Sequence, residues 1–154
     1  MTASPRDAVL ARLVLAPVRI ASEARRVDRA EAASGPPPGE WTTAQVLAHL
    51  AAVERVVWQA RLDSLGAGGE PSWAWTEPAP LDDPRAATTD GAAALFAEAR
   101  AQTLVRLAIL DEPGWARAGV HAVYGRLDVV GLMGVAADHD DEHLAALAAR
   151  ATEA

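Results

Sequence analysis

His139 and His143 stand four residues apart in the run His139-Asp140-Asp141-Glu142-His143, within an Ala- and Leu-rich stretch. On a helix, positions i and i+4 are offset by only about 40° around the axis, so both rings leave one side and can reach one ion. Two imidazoles make half a metal site, and the same spacing on an acidic segment also suits a solvated face. A third ligand has to come from elsewhere in the chain, and His49 is the candidate. It falls in the apolar stripe of another helical segment, where a buried imidazole needs a hydrogen-bond partner or a metal. Alone, His49 reads as a core histidine satisfied by a carbonyl. Beside His139 and His143, which align with Leu132, Val135 and Ala146 on the inward side of their own helix, it makes a third inward imidazole.

Three neutral imidazoles suit Zn²⁺, Ni²⁺ or Fe²⁺ at about 2.0–2.2 Å and leave further positions for water or substrate. Such a site is open. A water bound there has its pKa lowered toward about 7 and becomes a nucleophile, while a substrate thiol binds as the thiolate. Spacing does not choose between them.

Composition narrows the chemistry. There is no cysteine, which excludes disulfides, Cys-ligated zinc and a thiol nucleophile on this chain. All 14 basic residues are arginine, so Schiff-base chemistry on lysine is excluded as well. The net charge of -7 comes without a basic stripe, and no nucleic-acid partner is expected. The first residues lead into an amphipathic segment with no long apolar run, so neither a membrane span nor a membrane partner is expected, and the reading is a soluble cytoplasmic protein. The 154 residues suit one domain, 1–154, around one core.

The elements that must position the histidines follow from periodicity and punctuation. Leu10, Leu13, Val14, Val18 and Ala21 predict a first helix from about Pro5 to Ala33, with a kink or break expected at Pro17. Ser34-Gly35-Pro36-Pro37-Pro38-Gly39 makes a stiff connector. Thr42 with Gln45 reads as a capping box opening a second helix to about Leu65, its inward stripe being Val46, His49, Val53, Val56 and Ala60. Residues 67–87 carry Gly, Pro and two tryptophans, Trp73 and Trp75, without periodicity; a loop this long is often functional. A third helix runs from Thr88 or Thr89 to about Leu110, and Trp115 to Leu127 reads as a second structured loop. Asp128 then N-caps a fourth helix reaching about Ala149. Four helices with no convincing strand pattern predict an all-α four-helix bundle with long crossover loops.

A family resemblance rests on these same residues. Pro38-Gly39-Glu40-Trp41-Thr42 leading into Val46-Leu47-Ala48-His49-Leu50, then Glu54, His121 with Tyr124-Gly125, and His139-Asp140-x-x-His143-Leu144 together resemble the DinB/YfiT-like superfamily of metal-dependent enzymes over essentially the whole chain. The resemblance implies a bundle of up-down-down-up topology, a divalent metal held by His49, His139 and His143, and a homodimer. Zn²⁺ or Ni²⁺ leads among the metals, with Fe²⁺ and Mn²⁺ behind. Characterised relatives include S-transferases and isomerases that use low-molecular-weight bacterial thiols such as bacillithiol or mycothiol. Related sequences often carry His-Pro before the last helix; here Ala122 follows His121, which therefore reads as structural or solvated ahead of a residue that orients a ligand.

Around the histidines, Asp140 and Glu142 read as solvated acidic surface ahead of residues that orient a ligand, and Glu54 as a surface or interhelical ion pair. Trp73 and Trp75 suit a substrate mouth, a dimer contact or plain loop packing. Arg117 and Arg126 are candidates for the carboxylate of an anionic thiol. The expected function is a metal-dependent enzyme that activates a thiol or water against a small electrophile, with thiol S-transfer ahead of hydrolysis. The alternatives are a non-catalytic, stress-associated metal-binding dimer and a metal-free helical interaction module.

Overall fold

In a computed structural model, which describes residues 2–154, four long helical rods enclose two apolar clusters separated by a polar band. α1 spans Pro5–Ala30, with Ser4 as N-cap accepting from the Asp7 amide. It continues unbroken through Pro17, contrary to the expected break. Proline at 17 has no N–H to offer the carbonyl of residue 13. Arg100 supplies the missing donor, its Nη1–H reaching the Leu13 carbonyl at 2.8 Å.

The second rod opens as α2, Thr43–Val53, with the capping box in place: the Thr42 hydroxyl accepts from the Gln45 amide, and the Gln45 side chain accepts from the Thr42 amide. It widens into a π-helical turn, Glu54–Gln59, and ends as α3, Ala60–Gly66. A π turn holds more residues than an α turn and shifts the phase of the buried stripe. Val57 and Trp58 consequently face inward, whereas Val56 is 55% exposed and Ala60 is exposed, which corrects the expected stripe at these two positions.

A long connection runs back along α2, tied to it by the Leu81 N–H on the Ala48 carbonyl. It contains β1, Ser72–Trp73, and a 3₁₀ turn, Pro84–Ala87. α4, Thr89–Ala108, follows, then the short α5, Glu112–Trp115. β2, Ala118–His121, and β3, Gly125–Asp128, form a hairpin with Gly125 at φ +73°. β2 pairs in parallel with β1, Trp73 opposite His121, so a three-stranded sheet stands where two loops were expected. The fold is mostly helical, but it is not purely α. Gly119 is required in this sheet, because a Cβ there would lie 2.5 Å from the Trp73 ring. Asp128 caps α6, Val129–Glu153, by accepting from the Gly131 amide.

The polar band follows from where apolar residues stop. Along α6 the buried apolar positions end at Ala137 and resume at Leu147; along α4 they end at Ala99 and resume at Leu107. His139, Asp140, His143, Arg100 and Thr103 fill those gaps.

Candidate metal centre

The band holds two polar clusters. In the first, Arg100 Nη2 bonds both Glu54 Oε1 at 2.6 Å and Asp140 Oδ2 at 2.8 Å, and Thr103 donates to the other Glu54 oxygen. All three charged side chains are at least 97% buried. Glu54 is therefore an interhelical pair in the core, not at the surface. Asp140 is not the solvated residue expected: it lies on the flank of α6 turned toward α4. Burial pushes the Asp140 carboxyl up to about 7 against the pull of Arg100, with Glu54 adding to the rise. Burial also opposes the Arg100 charge, but the two carboxylates hold its pKa above the ordinary value.

The second cluster brings the three predicted histidines together and adds a residue that was not foreseen. His49, His139, His143 and Glu77 each place one ligand-type atom so that all four lie within 4.8 Å of one another. The Nε2 atoms of His139 and His143, one turn apart on α6, face each other at 3.3 Å. His49 Nδ1 is 2.7 Å from the Pro78 carbonyl. A carbonyl only accepts, so Nδ1 carries the proton, and Nε2 is turned toward the other histidines. Glu77 Oε1 lies 2.9 Å from His49 Nε2 and 3.8 Å from His139 Nε2. With the proton on Nδ1, His49 Nε2 has none to donate to that carboxylate, and it remains a fully buried nitrogen without a hydrogen-bond partner.

That orphaned nitrogen is the test of whether a metal fits, since buried polar atoms are almost always satisfied. With metal–nitrogen bonds of about 2.0–2.1 Å, ligand nitrogens on one ion lie roughly 3.0–3.5 Å apart, which the His139–His143 separation meets. Burial, then neighbouring positive groups, lowers the pKa of both His139 and His143 to about 4, which keeps their lone pairs free. Three imidazoles with the Glu77 carboxylate beside them suit a divalent ion.

A cavity of about 170 Å³ opens beside this cluster, lined by His139, Glu77 and Glu142 and also by Trp58, Arg61 and Trp75. The sheet roofs it. His121 on β2 is buried, and its Nδ1 accepts the Val123 and Tyr124 amides, capping the hairpin turn. Its role in the fold is thus structural, although its ring also borders the cavity. Trp73 packs inside, bonding Ser64 through Nε1, and only Trp75 lines the mouth. Arg117 and Arg126 are elsewhere: Arg117 reaches the Leu65 carbonyl and Arg126 pairs with Glu70. Arg61 is the arginine at the cavity. Neither Glu77 nor Arg61 was foreseen; Glu77 sits in an aperiodic loop, and Arg61 reads from sequence as one more charged residue near a helix end.

Comparison with known proteins bears on the family and the fold. The DinB superfamily profile matches residues 12–147. No curated protein matches the chain. Among solved structures, the fold is similar to that of YfiT from Bacillus subtilis, described as a probable metal-dependent hydrolase with an unusual four-helix bundle topology, with a TM-score of 0.73. The two are 19% identical, and the match covers 96% of this chain and 86% of that one; likeness at this identity speaks for the fold.

Proposed function

The chain belongs to the DinB superfamily, and from that premise we propose that it is a metal-dependent enzyme that adds a thiol, ahead of water, to a small electrophilic substrate at His49, His139 and His143. The observation that carries this reading is the cavity opening directly onto His139 and Glu77. A metal kept for stability alone has no use for an open side, whereas catalysis requires one.

His49, His139 and His143 would hold a divalent ion, which would supply the Lewis acidity that makes a thiol or water nucleophilic at neutral pH. The chain's residues do the rest. The Pro78 carbonyl fixes the His49 tautomer and ring orientation, the arrangement by which outer partners orient metal-binding histidines. Glu77, carried by the same loop, has its carboxylate placed to take the proton that the nucleophile gives up. Trp58 and Trp75 line the cavity with aromatic surface that favours contact with a sulfur nucleophile. No cysteine or lysine is available as a protein nucleophile.

The up-down-down-up helix order is part of the proposal. Support comes from ion pairs and hydrogen bonds at matching ends: Arg12 with Asp141 and Glu31 with Arg150 between α1 and α6, and Thr43 with Thr89 and Asp63 with Arg106 between the second rod and α4. We extend the reading to a homodimer, supported by Val14, Leu15 and Val18 exposed in adjoining turns of α1. Zn²⁺ or Ni²⁺ is the proposed ion, and the cytoplasm the proposed location.

The test is consumption of a chromogenic electrophile by zinc- or nickel-loaded protein with and without a panel of bacterial thiols. Thiol-dependent turnover that falls to background in His49→Ala supports the proposal. Equal turnover without any thiol favours hydrolysis, the activity in the description of YfiT. A stoichiometrically loaded protein with no turnover favours the non-catalytic reading.

A further inference from the structure

Arg61 is 6% exposed, yet among the described residues it has no carboxylate partner. Its guanidinium makes one hydrogen bond, from Nη2 to the Ala74 carbonyl at 2.8 Å, and lies over the rings of Trp58 and Trp73 at 5.4 and 5.8 Å. Burial lowers its pKa. The other buried arginine among the described residues contrasts with it: Arg100 holds two carboxylates. A buried unpaired charge is costly, and such groups persist where a partner arrives.

The free donors of Arg61 are not sealed in. Fully enclosed side-chain nitrogens without partners occur, among the described residues, on His49, Arg100 and His139 but not on Arg61. Nε and Nη1 of Arg61 therefore meet open space, and the cavity beside the histidines is the space that Arg61 lines. The acidic groups on that cavity stand apart from it. Asp138 is held by Arg12, Glu77 lies against His49, and Glu142 is on the exposed side of α6.

We propose that Arg61 is the anion-recognition residue of this cavity, and that the substrate class is a small carboxylate whose carboxylate pairs with Arg61 while its other end faces His139 and Glu77. The planar guanidinium presents paired N–H groups that match a carboxylate. One unit of positive charge, in a cavity that Glu77 and Glu142 also line without pairing with Arg61, suits a monoanion over a dianionic phosphate. Flanking tryptophans favour a flat or aliphatic body behind the carboxylate. The assignment of the far end rests on the metal-centre proposal; the anion contact does not.

Binding of phenylacetate and of its neutral isostere phenylacetamide, followed by calorimetry and by Trp58 and Trp75 fluorescence, tests this on chelated and on zinc-loaded protein. The expected result is an at least tenfold preference for phenylacetate in wild type, with or without zinc, lost in Arg61→Gln, partly retained in Arg61→Lys and unchanged in Arg117→Gln. A wild-type protein that does not prefer phenylacetate overturns the proposal. So does a preference that survives in Arg61→Gln, including one seen only with zinc, which would put the anion at the histidines. Failure to take up zinc at all defeats the metal reading and leaves the chelated-protein arm standing.

Discussion

His139 and Asp140 are neighbours in the chain, but they serve clusters of opposite kind. Asp140 enters an assembly in which Arg100 joins α1, the π turn and α6 to α4 through the Leu13 carbonyl, Glu54 and Asp140; Arg100 Nε is its one enclosed nitrogen without a partner among the described residues, and none of these side chains lines the cavity beside the histidines. His139 enters an assembly with two partnerless nitrogens, its own Nδ1 and His49 Nε2, and an opening alongside. Closed polarity of the first kind ties helices together. Open polarity of the second kind is what a site for an ion and a substrate looks like, and it is tolerated because the closed cluster next to it fixes the helices that carry the histidines.

The largest expected effect lies on the closed side. Arg100→Met leaves Glu54 and Asp140 buried without a counter-charge and should cost about 3–5 kcal/mol of stability in urea unfolding. A loss under about 1 kcal/mol would mean that the cluster is not sealed as described.

The two clusters should next separate by the sign of their pH response in chelated protein. A histidine lowered from 6.5 to about 4 leaves the unfolded chain binding more protons between those values, so stability is lost as pH falls through that window. Asp140, raised from 3.8 to about 7, makes the folded state bind more protons, so its contribution is present at low pH and lost as pH rises through 7. Between about pH 4.5 and 6.5, His139→Ala should flatten the rise of stability with pH and Asp140→Asn should steepen it, each by at most about 1.4 kcal/mol per pH unit. Tilts in the same direction would break the comparison.

The smallest effect belongs to Glu77, about half exposed on its loop. Glu77→Gln should weaken zinc binding about tenfold by calorimetry, through loss of a nearby negative charge, while changing stability by less than about 0.5 kcal/mol. Unchanged zinc affinity would remove Glu77 from the site.

What could be read from sequence was local. The Thr42–Gln45 box, the Asp128 cap and the Pro/Gly interruptions act within three or four residues, and the helices begin where those signals stand. The i+4 pair and the apolar setting of His49 likewise located the imidazoles that the fold brings together. What escaped depends on distant partners. Asp140 read as surface because carboxylates usually are, and Glu54 was left between a surface and an interhelical pair; the arginine that buries them lies 40 and 46 residues away. The strands are two to four residues long and are defined by pairing across the molecule, too short for alternation to register. Glu77 and Arg61 reach the cavity only because a crossover loop and a shifted helical phase carry them there.

Elemental analysis of protein purified without a histidine tag, alongside His139→Ala, tests the central claim most directly. The account predicts one divalent ion per chain in wild type and its loss in the variant, with helical content by circular dichroism unchanged. Equal metal content in both proteins, or none in wild type even after exposure to Zn²⁺ and Ni²⁺, would contradict it.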